Sequence, residues 1–530
     1  MTDEIKVLIT DEVSDRCVDR FRAESGVTVE YRPGIAGDDL KAAIAPCTAL
    51  VVRSQTKVTA AIIGAAKRLR VIGRAGTGVD NVDAEAATRA GIVVMNVPGG
   101  NTVSAAEHTM SLLLSLARMI PQADASMKAG RWDRGKFVGT ELHGKTIGIV
   151  GVGKVGREVG RRARSFGMEI IGYDPFLSEE MMEKSRVRFV HLDELFRRAD
   201  FITVHTPLTP QTKYLIGAKE LATCKPGVRI VNCARGGIVD EMAIADALRD
   251  GRIGGAAFDV YENEPPKELP FRDLPNVICT PHLAASTEEA QERVAVDIAD
   301  QICDYLRTGV ARNAVNLTTL DAKTQKLAEP FLALAWKLGR LQAQLMEGNP
   351  REIVVEHGGE LPQETAGPLT VAILRGFLES HLSGPVNAVN AAFIAKERGI
   401  RLREIRTPEA VDYTSLITVT VEATGGKRTI SGTLFGRNLP RIVRLDGYHF
   451  DALPEGTLVL VSNDDRPGII GLLGNTLGRN NINIAYMSVG RDRTGGRAIA
   501  ILNVDSEVPA PILDEIRQAP GIVWVKTASL

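Results

Sequence analysis

The chain has little that would confine it to a special chemical class. Its six cysteines, at 17, 47, 224, 233, 279 and 303, form no CxxC pair and no metal-like spacing. They read as reduced structural thiols, and no metal site is expected. Lys and Arg total 64 against 65 Asp and Glu, giving a formal net charge of -1 without a long basic run. That balance argues against nucleic-acid or membrane-surface binding and leaves room for a small anion held by a few local basic residues. The strongest apolar run, SLLLSLA near residue 111, is too short to span a bilayer. MTDEIKVLIT enters a strand pattern at once, without the apolar stretch of a signal sequence, so the expected compartment is cytoplasmic. Low-complexity tracts are absent. What remains is 530 residues, 44% hydrophobic, too long for one core and apolar enough for several, which predicts three or four domains.

Short β-branched runs open the chain: KVLIT, ALVVRS (49–54), RVIGRAG (70–76) and GIVVMNV (91–97), separated by Ala-rich helical stretches. A helix is predicted at about 101–130, after which KTIGIV, EIIGYD, FITVHTP, VRIVNCARGG, GGAAFDV and NVICTPH begin a second series. Alternation of this kind predicts α/β architecture, with two parallel, Rossmann-like, doubly wound sheets. The segment EEAQERVAVDIADQICDYLRTG is helical by periodicity and is expected to pack back on the first sheet. From residue 317 an α+β module follows, in which GGK is read as the turn of a hairpin between SLITVTVEAT and RTISGTLFG. The last stretch has the order βαββαβ, a ferredoxin-like sandwich. The expected domains are 1–98 with 286–316, then 99–285, 317–453 and 454–530.

GVGKVG follows the strand KTIGIV. Gly151 and Gly153 permit a tight turn and close approach of a pyrophosphate, and Gly156 lets the next helix sit against its strand. Val155, Val159, Ala163 and Phe166 form one stripe of that helix before Gly167 stops it. EIIGYD ends in Asp174, where a carboxylate can accept from the adenosine ribose and repel a 2′-phosphate, favouring NAD over NADP. Arg235 follows the strand VRIVN and offers a planar fork for a carboxylate. His282 follows another strand end and is a candidate proton carrier, which Glu264, in a Pro-bounded loop, would orient and tune. GRAGTGVDN (73–81) and GVGKVG hint at two similar folds.

These segments, NCARGGIVD, FDVYENEPP and TPHLAAST, resemble the D-isomer-specific 2-hydroxyacid dehydrogenase family, whose Arg, Glu and His fall in the same contexts. RAGTGVDNVD, the AAEH of 105–108 and GTELHGKTIGIVG match it as well, so the resemblance covers about residues 1–316. The added C-terminal part, with SGTLFG and the DRPG of 465–468, resembles that of the family's long members, which end in an ACT domain. The resemblance implies a substrate-binding domain (1–98 and 286–316), an NAD-binding domain (99–285), an intervening domain (317–453) and an ACT regulatory domain (454–530). It implies NAD-dependent oxidation of 3-phospho-D-glycerate, as in L-serine synthesis, by a homotetramer. Cofactor contacts are implied for Thr77, Lys154, Val155, Asp174, Thr206, Cys233, Ala234, Arg235, Asp259 and His282. Substrate contacts are implied for Arg53, Ser54, Gly76, Asn101, Arg134 and Arg235, Arg134 reaching a neighbouring subunit. Asn463, Asp465 and Asn483 correspond to positions that bind an L-serine effector. Two alternatives stay open: a dehydrogenase of another 2-hydroxy acid such as glyoxylate or lactate, and a nucleotide-sensing binding protein on the same fold.

Overall fold

In the computed structural model, described for residues 4–382, 384–407 and 412–530, the strands form four separate sheets. Residues 1–3, which head the expected first domain, and 383 and 408–411, within the expected third, lie outside the described residues.

The first sheet contains β1 (Ile5–Ile9), β2 (Val27–Tyr31), β3 (Ala49–Val52), β4 (Val71–Arg74) and β5 (Val93–Met95), all parallel, in the order β2-β1-β3-β4-β5. A parallel neighbour can be reached only by a crossover, and each Ala-rich stretch supplies a helix for one. Coverage on both faces explains why β3 and β5 are buried at every residue. β2, an edge strand absent from the sequence-based expectation, has only a weak VTVEY pattern with no fully buried residue. Helix Glu288–Thr308 lies on this sheet: Val294, Ile298 and Ile302 share a core with Val7, Ile9 and Val51, and Arg20 donates to Asp300 at 2.6 Å.

The second sheet contains β6 (Thr146–Val150), β7 (Glu169–Tyr173), β8 (Arg188–Phe189), β9 (Phe201–Val204), β10 (Arg229–Asn232), β11 (Gly255–Phe258) and β12 (Val277–Cys279). Its order is β12-β11-β10-β9-β6-β7-β8, again parallel. Strand order reverses between β1 and β3 in the first sheet and between β6 and β9 in the second. At such points the connecting helices leave to opposite faces and a crevice opens beyond the carboxyl ends of the strands. The single helix expected at 101–130 is two, Thr102–Arg118 and Ile120–Lys128, because Met119 between them is left-handed (φ 54°) and Pro121 cannot continue the hydrogen-bond ladder.

The third sheet contains β13 (Pro350–Gly359), β14 (Arg401–Thr407), β15 (Ser415–Ala423), β16 (Gly426–Phe435), β17 (Leu439–Leu445) and β18 (Tyr448–Ala452), ordered β14-β13-β15-β16-β17-β18. The hairpin turn is Thr424–Gly425, since Ala423 pairs with Gly426; the expected GGK turn is displaced by one residue. The fourth sheet contains β19 (Thr457–Asp464), β20 (Ile484–Arg491), β21 (Arg497–Val504) and β22 (Ile522–Ser529), in the ferredoxin-like order β20-β21-β19-β22. Period-two alternation gives it two apolar faces. Val459, Val461 and Leu502 meet the helices Ile469–Arg479 and Ala510–Gln518, while Leu458, Leu460 and Ile501 join Ile430, Ile442 and Leu445 of the third sheet in one core.

Candidate active site

Loops from the carboxyl ends of the first two sheets enclose a cleft of about 610 Å³, lined by Arg53, Ser54, Arg74, Asn101, Glu264 and His282, among others. The chain leaves β12 through Thr280 and Pro281 and reaches His282 in a left-handed conformation (φ 56°), which is uncommon for a non-glycine residue. Such a backbone persists only where its surroundings over-determine it. Asp259, fully buried just beyond β11, supplies that constraint: it accepts from Thr280 Oγ1 at 2.6 Å, Leu283 N–H at 2.7 Å, Ala284 N–H at 2.8 Å and His108 Nε2 at 3.1 Å. Burial alone would raise the Asp259 carboxyl; these donors outweigh it and hold the group below the ordinary carboxylate range. Asp259, expected to touch the cofactor, thus sits beneath the site and fixes the His282 loop.

Glu264 Oε2 lies 2.7 Å from His282 Nδ1, and Glu264 Oε1 accepts the Tyr261 N–H at 3.0 Å. Burial pushes the Glu264 carboxyl up, but the bonds from His282 and Tyr261 prevail and keep it low. An ionised Glu264 can only accept, so His282 presents Nδ1–H to it and leaves Nε2 for a substrate proton.

Positive charge gathers across the cleft. Arg235 stands just beyond β10; its Nε donates to Asp80 Oδ2 at 3.2 Å and its Nη1 to the Ala234 carbonyl at 2.7 Å. Arg74, which ends β4, is the functional residue missing from the sequence-based expectation. Burial and the like charge of Arg235 draw its guanidinium down to about 10, and its Nε has no hydrogen-bond partner among the described residues. A cationic donor kept dry and unpaired is costly unless an anion completes it. The sequence signal was RAGTG, whose glycines serve a different purpose from those of GVGKVG. A Cβ at Gly76 would collide with Arg74 Nη1, and one at Gly78 with Arg235 Nη2, so both glycines make room for guanidinium groups.

The dinucleotide turn fits its ligand by the same test. Gly151 (φ 90°) needs the left-handed region, and a Cβ on Gly156 would strike the Gly151 carbonyl. Gly153 has nothing within 4 Å of such a Cβ, an open face at the amino end of helix Lys154–Ser165 where a pyrophosphate would approach. Asp174, the residue just beyond β7, has Oδ2 accepting Val152 N–H at 2.9 Å and Oδ1 accepting Phe176 N–H at 2.9 Å, which fixes the carboxylate for ribose hydroxyls. Thr206 Oγ1 is buried without a partner among the described residues. NAD is the cofactor these groups suit.

Other expected contacts divide. Thr77 Oγ1 donates to Asn101 Oδ1 at 2.7 Å, tying two of them together. Lys154 Nζ donates to the Pro98 carbonyl at 2.9 Å, Val155 lies half-buried behind it, and Ala234 N–H is held by Asn232 Oδ1 at 3.0 Å. Cys233 is buried, and burial pushes its thiol up to about 12, which keeps it neutral. Arg134 is exposed on the turn Arg134–Lys136 and is not part of the cleft lining. In the fourth sheet Asn463 is only 5% exposed, inside β19 between β21 and β22, and its Oδ1 has no hydrogen-bond partner among the described residues. Asp465 Oδ2 accepts Gly495 N–H at 3.1 Å, and Asn483 donates to Asp505 at 2.8 Å.

Three segments match described families: residues 110–284 the D-isomer specific 2-hydroxyacid dehydrogenase NAD-binding domain, 327–446 the D-3-phosphoglycerate dehydrogenase intervening domain, and 457–521 the ACT domain. The chain is 44% identical to D-3-phosphoglycerate dehydrogenase of Methanocaldococcus jannaschii over 99% of this chain and 100% of that one. It is 42% identical to that of Bacillus subtilis, over 91% and 92% of the two chains. Among solved structures, NAD+-bound 3-phosphoglycerate dehydrogenase of Entamoeba histolytica superposes with a TM-score of 0.51 at 30% identity, covering 59% of this chain and 99% of that one.

Proposed function

Since the chain belongs to the D-3-phosphoglycerate dehydrogenase family, among the D-isomer-specific 2-hydroxyacid dehydrogenases, we propose that it oxidises 3-phospho-D-glycerate to 3-phosphooxypyruvate with NAD. This is the first step of phosphorylated L-serine synthesis. The observation that carries the reading is one cleft with the His282–Glu264 pair on one side and Arg53 and the unsatisfied Arg74 on the other. A substrate with a carboxylate and a phosphate needs more than one cationic site, and the cleft has them.

NAD, held by the dinucleotide turn and Asp174, would supply the acceptor for the hydride lost from C2. His282 Nε2 takes the C2 hydroxyl proton, and the Glu264 carboxylate stabilises the imidazolium that results. Arg235 exchanges its Asp80 contact for the substrate carboxylate and polarises the reacting centre. Arg53, Ser54, Arg74 and Asn101 hold the phosphate end, with Gly76 giving the Arg74 side chain its place. Thr77, Gly151, Gly153, Lys154, Val155, Gly156, Asp174, Thr206, Cys233 and Ala234 form the cofactor crevice. A turnover assay with 3-phosphoglycerate and NAD tests the whole reading; equal turnover of glyoxylate or lactate would replace the substrate assignment.

Asp174→Ala is expected to weaken use of NAD by about 10- to 100-fold, the loss of one or two charge-assisted hydrogen bonds to the ribose. NADP should lose less, because the repulsion of its 2′-phosphate disappears with the carboxylate. Kinetics with both cofactors check this, and an unchanged NAD-to-NADP ratio would move the selectivity elsewhere.

The expected boundaries remain our division of the chain: 1–98 with 286–316, 99–285, 317–453 and 454–530. We place the protein in the cytoplasm as a homotetramer in which Arg134, exposed on its own subunit, reaches a neighbour's cleft. Among the described residues no helix is long and apolar enough to cross a membrane. The ACT domain takes L-serine as an effector between paired copies, Asp465 meeting the ammonium and Asn483 the carboxylate or hydroxyl. Serine must bind better to a less active arrangement, since equal affinity for both shifts nothing. Calorimetric titration of the full-length enzyme should therefore show binding at millimolar L-serine together with reduced turnover. Heat changes absent at that concentration would leave the ACT domain an assembly module or a sensor of another molecule.

A further inference from the structure

Arg53 is presented by residues 53–56, the loop that follows β3, and this loop is gripped from below by one carboxylate. Asp11, 1% exposed and two residues beyond β1, accepts the N–H groups of Arg53 at 2.6 Å, Gln55 at 3.2 Å and Thr56 at 3.1 Å. It also accepts the Thr56 hydroxyl. The Asn81 amide closes the loop from the other side, donating to the Arg53 and Thr56 carbonyls at 2.7 Å each. Beside Asp11, the Glu12 carbonyl accepts Arg53 Nη1 at 2.9 Å. All these bonds converge on three of four consecutive residues, Arg53, Gln55 and Thr56, and they belong to no helix or sheet ladder. β1 and β3 are neighbours at the point where strand order reverses, which puts Asp11 directly beneath the crevice.

We propose that Asp11, assisted by Asn81, is a positioning residue for substrate affinity: it holds the 53–56 loop so that Arg53 meets the phosphate end of the substrate. The proposal rests on the reading of the cleft given above. A loop of four residues pays conformational entropy each time it must be ordered around a ligand, and a buried carboxylate that has already bound its amides removes that cost before binding. The effect falls on binding of the anionic end. The proton relay belongs to the second sheet and is untouched, as is the dinucleotide turn.

In Asp11→Asn the negative charge is lost and one oxygen becomes an NH2 group that can no longer accept from Thr56, so the grip on the loop weakens while the side chain keeps its shape. The experiment measures kcat and KM for 3-phosphoglycerate, NADH affinity by fluorescence, and thermal melting for the wild type, Asp11→Asn, Arg53→Ala and the double variant. KM should rise by about tenfold or more in Asp11→Asn, with kcat within about threefold and NADH affinity unchanged. In the Arg53→Ala background the same change should raise KM by less than about threefold, because the group it positions is gone. Asn81→Ala should raise KM in the same direction, and it decides the matter if Asp11→Asn does not fold. An unchanged KM beside a lowered melting temperature, or a full further increase on top of Arg53→Ala, overturns the proposal. A wild type that does not turn over 3-phosphoglycerate sinks the substrate reading and this proposal with it; normal wild-type turnover with unchanged KM in the variants sinks the proposal alone.

Discussion

His282→Ala is expected to lower kcat by about two to four orders of magnitude, the usual contribution of a positioned general base, while NADH still binds. The imidazole is held at Nδ1 by Glu264 and by a loop anchored on Asp259, and neither depends on the imidazole for its own structure: Glu264 keeps its bond from Tyr261, and Asp259 keeps its bonds from Thr280, Leu283 and Ala284. The variant should therefore fold and lose chemistry alone. Glu264→Gln separates tuning from shape. Removal of the negative charge makes protonation of the neighbouring imidazole harder, so the acidic limb of the oxidation profile should move to lower pH, with a smaller fall in kcat. A profile that does not move would assign Glu264 to structure, and a fall of less than tenfold in His282→Ala would remove His282 from the relay.

Arg235→Gln is expected to lower kcat/KM by about 30- to 1,000-fold, corresponding to roughly 2–4 kcal/mol for a charge-assisted, forked contact to a carboxylate. Its present partner is weakly committed. The Asp80 side chain is 76% exposed, and a pair of that kind contributes about 0–1 kcal/mol, so Arg235 can leave it for substrate and its loss should hardly change the melting temperature. Arg235→Lys should recover only part of the activity, because an ammonium cannot reproduce the planar fork. Steady-state kinetics with a melting curve for each variant provide the check. A loss of activity that tracks a loss of stability would make Arg235 a strut between the two sheets instead of a substrate ligand.

The residues of the proposed relay were legible in the sequence because each lies just beyond a strand end, and parallel strands bring their carboxyl ends to one side whatever their order. VRIVN before Arg235, GAAF before Glu264 and NVIC before His282 are strong strand patterns, so the crevice followed from local pattern plus one topological rule. Edge strands were less legible. β14, RLREIRT, is exposed at nearly every position and carries no apolar alternation; it is a strand only because β13 offers it a partner. The break at Met119 likewise depends on one left-handed residue inside a continuous helical pattern.

Chain order alone determined two parallel α/β units and a βαββαβ unit, the dinucleotide turn at Gly151, Gly153 and Gly156, and the approximate positions of Arg235, Glu264 and His282, because periodicity and strand-end position are local properties. Tertiary structure decided the rest. It turned the glycines of RAGTG into room for the guanidinium groups of Arg74 and Arg235, placed Asp259 beneath the His282 loop, and buried Asn463 inside a sheet. It also set Asp11 under the loop of Arg53. Each of these depends on which groups from distant segments meet and on what water can still reach, and a carboxylate in the sequence carries no mark of whether it will face substrate or hold the residue that does.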